Sequence, residues 1–456
     1  MNSLNRIVVV ALLVLSLTTA ASATVWHVPG DVPTIAAALA LTVPGDVVEL
    51  APGTYLEHDL IMTSGVTLRC ATGQAADAVI DAQGLGRVLY CDMLLEPVTI
   101  EGLTITGGLL TDEDATARGA GIFALNTQLI LSNCAILDNE AWHLGGGLYI
   151  TGGGLEASHC RFEGNIGEHG GGGAICGDNF EGFIDHCRFE ANRGIDGAGI
   201  YLRHASPDIT WCTFASNDGW FFGGGALLGP EVWSFIDHCT FVDNEALSGT
   251  AIMTMSDTAP VVTNCLFAFG RDGASLHIDG PSSIDLSCCL FYGAEDGTHS
   301  GNISDPIGVG GNIGLDPLLC GLETGDYTLA ANSPALPTNN DCGVLMGAWD
   351  EGCEADLTDA LPGPGTIRLT NYPNPFNPST TIVFNLSEAQ TVSLCVLDLG
   401  GHTVCEILHR DRRDAGQHAV AWDGRDLDGR TLPSGTYLAR LSFGTTQQVR
   451  TMTLLK

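Results

Sequence analysis

The chain reads as all-β: a right-handed parallel β-helix solenoid opened by an N-terminal capping helix and followed by a small β-sandwich. Three observations predict it. Cysteines recur at 134, 160, 187, 212 and 239, spaced 26, 27, 25 and 27 residues apart, each followed by an aromatic or aliphatic residue and then asparagine, as in Cys160-Arg161-Phe162 to Asn165. A second column keeps the same period: Gly145-Gly146-Gly147-Leu148, Gly172-Gly173-Ala174-Ile175, Gly197-Ala198-Gly199-Ile200, Gly224-Gly225-Ala226-Leu227 and Gly249-Thr250-Ala251-Ile252. Two columns sharing one period define a repeat architecture. Within each copy the apolar runs are too short for helices and are broken by Gly and Asn, so each copy supplies several short strands. Such a unit buries no core alone, and must stack in parallel on its neighbours at about 4.8 Å.

Taken in order, residues 7 to 17 are apolar, Arg6 precedes them and Ala21-Ser22-Ala23 follows, which predicts a secretory signal peptide over 1–23. Pro33 to Leu41 combines an early proline with strong helix formers and predicts a helix that caps the solenoid's open end. Val66 to Ile105 supplies the first coils, and Thr111-Asp112-Glu113-Asp114-Ala115-Thr116 an acidic loop. In the regular array, alternation sends Cys and Phe inward, as a cysteine stack through Cys134 to Cys265 and a phenylalanine stack through Phe162 to Phe267. In-register thiols with parallel Cβ vectors are expected to stay unpaired. The asparagine after each phenylalanine suits a left-handed turn. Degenerate copies continue at Cys265-Leu266-Phe267 and Cys289-Leu290-Phe291; beyond them Cys320, Cys342 and Cys353 lie in closing coils, with pairings the sequence leaves open. The solenoid is thus expected over 24–353 and a linker over 354–365, which contains Pro362-Gly363-Pro364-Gly365. Short strands with turn signals over 366–456 predict the sandwich, with Cys395 and Cys405 facing each other across a hairpin turning at Gly400-Gly401.

Charge separates the two parts. Of 53 acidic and 18 basic residues, 366–456 hold 8 and 9, leaving 45 and 9 for residues 1 to 365. The single lysine is Lys456, so the acidic solenoid has no basic footprint for nucleic acid. Past the leader, no run of 18 apolar residues could span a membrane as a helix. No cofactor is expected; acidic turns could collect calcium, but no regular Asp-x-Asp-x-Asp-Gly repeat is present, and a solubilising shell explains the charge as well.

The paired Phe-x-x-Asn and Gly-Gly-Ala-Ile signatures, here Phe162 to Asn165 with Gly173-Ala174-Ile175, resemble the repeats of polymorphic outer-membrane proteins. More broadly they resemble secreted bacterial β-helix proteins of the pectin-lyase-like class. That resemblance spans residues 25 to 353 and implies a fold, because the class includes lyases, hydrolases, esterases, adhesins and chains of no known chemistry. Asn371-Tyr372-Pro373-Asn374-Pro375-Phe376-Asn377-Pro378, Trp422-Asp423-Gly424 and Leu432-Pro433-Ser434-Gly435-Thr436-Tyr437 resemble the C-terminal sorting domain of type IX secretion substrates, related to the Ig-like module of the flagellar hook-cap protein. This implies export to the outer surface of a Gram-negative-type bacterium, with the tail read by the secretion machinery.

The solenoid offers a catalytic reading little support. It lacks a lysine base, and the Asn-Thr-Asp, Asp-Asp and Gly-His-Gly motifs of a polygalacturonase-like hydrolase are absent. Asp185-His186 and Asp237-His238 look like dyads but recur before the core cysteine, where turn polarity explains them. The connections before the glycine column carry Trp142, His143, Glu168, His169, Asp196, Trp220, Phe221, Phe222 and Glu245. Stacked coils would align them as one ridge of rings and acids suited to carbohydrate. The expected function is therefore a secreted or surface β-helix protein that binds an extracellular glycan, or a host or neighbouring cell surface, in an adhesin-like role. Its alternative is a polysaccharide lyase or glycoside hydrolase.

Overall fold

The structure is a computed structural model describing residues 23–111, 116–354, 369–372, 376–386, 389–398, 401–414, 416–427, 429–443 and 446–455. The signal segment to residue 22, the acidic centre of the 111–116 loop and nearly all of the predicted linker lie outside these residues. The body is an all-β right-handed solenoid. One face is a ten-stranded parallel sheet that includes Ala135–Leu137, Arg161–Glu163, Arg188–Glu190, Thr213–Ala215, Thr240–Val242, Leu266–Ala268 and Leu290–Tyr292. Its register runs Phe162 to Phe189 to Phe214 to Phe241 to Phe267 to Phe291 without slip. Two further strands per coil form a bent sheet, joined across its corner by the unbroken strands Ile122–Ser132 and Leu148–Ser158. A third, short stretch, as in Ile166–Gly171 and Arg193–Asp196, completes each central coil.

The inward columns form as the alternation predicts. Phenylalanine rings stack at 4.6 to 5.1 Å with interplanar angles of 4 to 13°, each pair adding about 1 kcal/mol beyond area burial. Cys134, Cys160, Cys187, Cys212, Cys239 and Cys265 are buried and unpaired. Their thiols donate to carbonyls two residues back, Cys212 to Thr210 at 3.2 Å and Cys265 to Thr263 at 3.1 Å. Desolvation pushes the Cys212 and Cys265 thiols well above their usual range, so they act as small apolar fillers.

The asparagines do something other than the expected turn. The left-handed backbone falls one residue earlier, at Asp138, Ala191, Ser216 and Asp243, and Asn139, Asn165, Asn192, Asn217 and Asn244 point inward, buried. Each Nδ2 from Asn139 to Asn217 donates to the next Oδ1, at 3.1, 3.0, 3.0 and 2.9 Å. The other Nδ2 hydrogen reaches a carbonyl of the preceding coil, such as Phe162 O from Asn192 at 2.9 Å. The turn itself is made by short polar or small residues, which leaves the amide free to ladder.

In the glycine column the register differs in one copy: Ala226, not Leu227, pairs with Ile200, so the fourth copy is Gly223 to Ala226. The reason for glycine is steric. Gly172 has φ +72°, and a Cβ on Gly173 would lie 2.4 Å from Arg193 O of the adjoining coil.

A five-residue helix, Ile35–Leu39, forms where a helix was expected, with Thr34 Oγ1 accepting from Ala37 N at 3.1 Å. Ile35, Ala38 and Leu39 enter the solenoid core. The predicted closing coils are replaced by a strap. Leu319–Gly321, Asp326–Ala330 and Glu351–Cys353 form a separate small sheet. Residues 347 to 349 cross three coils on the outside: Gly347 N donates to Asn264 O at 2.8 Å, Ala348 N to Thr240 Oγ1 at 2.9 Å and Trp349 Nε1 to Thr213 Oγ1 at 2.8 Å. Cys288 bonds Cys342 and Cys320 bonds Cys353. Under the strap the outward positions turn from Arg161/Glu163 and Arg188/Glu190 to Thr213/Ala215, Thr240/Val242 and Leu266/Ala268, all buried.

The C-terminal residues build two antiparallel sheets: Leu369–Tyr372, Thr380–Leu386 and Gly416–Trp422; and Gln390–Leu397, Thr403–Arg413, Gly435–Phe443 and Thr446–Leu454. They share one buried cluster around Phe384, Val396, Trp422 and Met452. Cys395 and Cys405 do not face each other. Cys395 pairs with Glu406 and Cys405 with Val396, because register shifts in this hairpin offset the cysteines by one residue and turn them to opposite faces. Both are free.

The ladder generates a direct test. Asn192→Ala removes the acceptor of Asn165 N and Nδ2, both at 3.0 Å, and the donor to Phe162 O. Each orphaned buried group costs about 1 to 3 kcal/mol, so urea unfolding should show a loss of about 3 kcal/mol or more. A neutral substitution would refute the ladder's role.

Candidate functional site

The connections that carry the predicted ridge are stacked by their own backbones. His169 N donates to Trp142 O at 2.9 Å, Phe221 N to Ile195 O at 3.1 Å and Ser248 N to Phe221 O at 3.1 Å. One coil's loop therefore seats the next, and the connections of five coils lie along one side of the solenoid.

Part of the ridge forms a groove of about 190 Å³, lined by Glu168, His169, Arg193, Ile195 and Trp220 among others. Trp220 is 57% exposed and Phe221 43%; their rings stack at 5.6 Å and 7°. The Trp220 backbone has φ 22°, on the left-handed side that favours glycine, and its N–H donates to Asp218 Oδ1 at 3.1 Å. An indole at such a position serves neither core burial nor turn economy.

Other members stand apart from this groove. Trp142 is half-buried, packed on the His169 ring at 4.0 Å, so it supports the groove's histidine and is not a bare platform. Phe222 is half-buried and bridges Asp196 and Ser248 through backbone. His143 does not line the groove. Asp196 is half-buried and burial raises its carboxyl, while Glu245 is raised by desolvation despite Arg271 Nη1 at 2.9 Å. The even row of rings and acids is thus a shorter feature centred on Trp220, Phe221, Glu168 and His169.

The Asp-His pairs are corner structure. His186 and His238 adopt φ 50° and 49° and bond Asp185 Oδ2 and Asp237 Oδ2 at 2.8 and 2.7 Å. Their rings continue an outer stack, His159 to His186 to Trp211 to His238, at 5.0, 5.8 and 4.2 Å. Among the described residues no three His, Cys, Asp or Glu side chains gather as a metal site.

A larger groove was missed by sequence reasoning. It has a volume of about 470 Å³ at the opposite corner of the large sheet, where Glu181, His204, Glu231 and Trp233 converge beside Gly153. Its signal was present but faint: these positions lie at the corner where one strand gives way to the next and carry no shared motif.

Residues 89–267 match the family model of the right-handed β-helix region, and residues 376–447 that of the FlgD Ig-like domain. The chain is a parallel β-helix with an Ig-like part. No curated protein matches it. Among solved structures it is similar to PorZ, a surface component of the type-IX secretion system of Porphyromonas gingivalis, at 19% identity over 19% of this chain and 11% of that one, with a TM-score of 0.16. It is also similar to a pectin methylesterase from Yersinia enterocolitica, at 12% identity over 62% of this chain and 94% of that one, TM-score 0.26. For pectin methylesterase PemA from Erwinia chrysanthemi the figures are 12%, 68%, 98% and 0.24. The chain spans about a ninth of the length of PorZ, and likenesses at these scores carry no activity across.

Burial at Asp196 has a pH consequence. Its carboxyl is raised in the folded state, so the folded chain holds that proton more tightly than the unfolded one. The associated stability is present below the unfolded carboxylate range and is lost as pH rises through the folded value. Asp196→Asn should therefore gain on the unmodified chain between about pH 3 and about pH 7 in denaturant titrations. A pH-independent difference would show the side chain to be fully hydrated.

Proposed function

We propose that this is a secreted or surface-exposed β-helix protein that binds an extracellular glycan without cleaving it, in an adhesin-like role. The observation that carries the reading is Trp220, an indole more than half exposed, on a glycine-favouring backbone, over a groove holding Glu168, His169 and Arg193. Ring faces stack on sugar faces while charged and imidazole groups hydrogen-bond hydroxyls, which is the usual division of labour in a polar ligand groove. On this reading the N-terminal helix caps the first coil, and residues 366–456 form an Ig-like sandwich read by the secretion machinery. The leader pattern of residues 1–23 and the FlgD Ig-like match support export to the surface of a Gram-negative-type bacterium. Calcium, where acidic turns take it up, is accessory.

The test is a glycan array read for both retention and product release. Trp220→Ala should weaken binding several-fold, a ring being worth about 1 kcal/mol, with the melting temperature nearly unchanged because the side chain is exposed. A large fall in stability would make the ring structural. Release of unsaturated or reducing sugars by the unmodified protein would move it to the polysaccharide lyases or glycoside hydrolases.

Delivery is tested separately. Deleting residues 366–456 should leave a folded β-helix that no longer reaches the surface, since the two parts have separate buried clusters. Surface display of the truncated chain would refute the sorting role.

A further inference from the structure

At the corner between the two strands of the large sheet, each coil turns through the left-handed region. Asn126, Asn179 and Asp257 do so with φ 47°, 53° and 63°, residue types suited to it, and one coil uses Gly152 and Gly153. Three coils depart from this economy, with Met93 at φ 52°, His204 at φ 48° and Glu231 at φ 56°, and the last two are adjacent, exposed and charged or titratable. Neither of these two side chains enters the core. They stand on the groove of about 470 Å³ with Glu181 and Trp233. Trp233 is 58% exposed, and its backbone is held by Trp233 N donating to Ser206 Oγ at 2.9 Å. His204 Nδ1 is engaged by Asp178 Oδ1 at 3.0 Å, and Arg203 by Asp178 Oδ2 at 3.1 Å.

The groove is therefore aromatic and acidic, with its neighbouring guanidinium already neutralised. The adjoining outward row of the sheet repeats the chemistry. Glu156 pairs with Phe183 and Phe183 with Asp208, and Phe235 takes the same position in the next coil, as the pairing of Ile209 with Ile236 fixes. Phe183 and Phe235 are 39% and 40% exposed. Acid, ring, acid and ring thus follow one another at the coil spacing of about 4.8 Å.

We propose that this corner is a binding site for a cationic amino-sugar oligosaccharide. Its pyranose faces would stack on Trp233 and the phenylalanine rings, and its ammonium groups would be answered by Glu181, Glu231 and Asp208. Rings with carboxylates recognise ammonium ions by two additive attractions. The same charges repel polyuronates. A saccharide suits the site better than a basic peptide because Gly153 leaves a side-chain-free ledge beside a flat indole, and because rings and acids alternate along the solenoid as they would along a polymer carrying one charge and one apolar face per unit. This site is distinct from the Trp220 groove and does not depend on it.

The test is calorimetric titration of the full chain with a glucosamine hexamer, its N-acetylated counterpart, a galacturonate oligomer and oligolysine. The glucosamine hexamer should bind about tenfold or more tightly than the acetylated one, and weaken with salt. Trp233→Ala and Glu231→Gln should each reduce its affinity several-fold with unchanged melting temperature, while Trp220→Ala leaves it intact. Equal affinity for the acetylated hexamer, absence of binding, or oligolysine binding as tightly as glucosamine would each overturn the proposal. Loss on Trp220→Ala alone would assign the ligand to the other groove and overturn it as well.

Discussion

The constraint on which the structure depends is the spacing of one coil above the next. Parallel backbone hydrogen bonds hold each residue about 4.8 Å from its equivalent, so an inward side chain must be compatible with copies of itself on both sides. Rings can stack, thiols can lie over thiols, and primary amides can donate to the next and accept from the last. A carboxylate could not, since like charges at that distance in a dry interior repel strongly. This explains why a chain with a formal charge of -35 has an interior ladder of Asn139 to Asn244 and, among the described residues, no interior ladder of aspartates. Apart from Asp46, which is buried, the described acids are at least partly exposed, and Arg161 and Glu163 pair at 2.7 Å and Arg193 and Asp218 at 3.6 Å.

The same spacing separates rings that maintain the fold from rings that do not. At the corner before each core cysteine, His159, His186, Trp211 and His238 occupy left-handed backbone, at a cost of about 1 kcal/mol each. Contact with the neighbouring ring returns about 0.5 to 1.5 kcal/mol, so a continuous stack offsets its own strain and needs no ligand to explain it. Among the described residues Trp233 makes no ring stack of this kind, and the Trp220 ring stacks on Phe221 of its own loop and on no ring of another coil. These exposed indoles are the ones whose presence the fold leaves unaccounted for.

Much of the solenoid was legible because a repeat writes its register into the chain: Cys-x-Phe alternation gave the two inner columns, and the glycine column marked where adjoining backbones leave no room for Cβ. The asparagine was misassigned because the motif shows a polar pair, Asp138-Asn139 or Asp243-Asn244, without showing which member turns the backbone and which faces inward. The strap was invisible for a different reason. Its trace is a change of type, from Arg188 and Glu190 to Thr213 and Ala215, and a covered sheet face resembles ordinary variation unless the covering segment is known. The hairpin of Cys395 and Cys405 failed through register shifts, which symmetric counting from a turn cannot anticipate. The ridge was half legible: stacking brought Glu168, His169 and Trp220 together, but the packing of Trp142 on His169 depends on loop shape and not on period.

Cysteine chemistry divides along the same geometry. In the column, parallel Cβ vectors at the coil spacing keep Sγ atoms from converging as a disulfide requires, so Cys134, Cys160, Cys187, Cys212, Cys239, Cys265 and Cys289 remain free. Where the period ends, the chain leaves the ladder and runs back over the outer face, and there the geometry admits Cys288 with Cys342 and Cys320 with Cys353. The bridges span 54 and 33 residues, and on chain-entropy grounds each restricts the unfolded chain by about 4 kcal/mol. That contribution falls where coil-to-coil hydrogen bonding is least available. The strap it secures covers Leu266, Ala268 and Leu290 with Leu329, Leu336 and Met346, so the cross-links hold in place the segment that keeps an apolar sheet face from water.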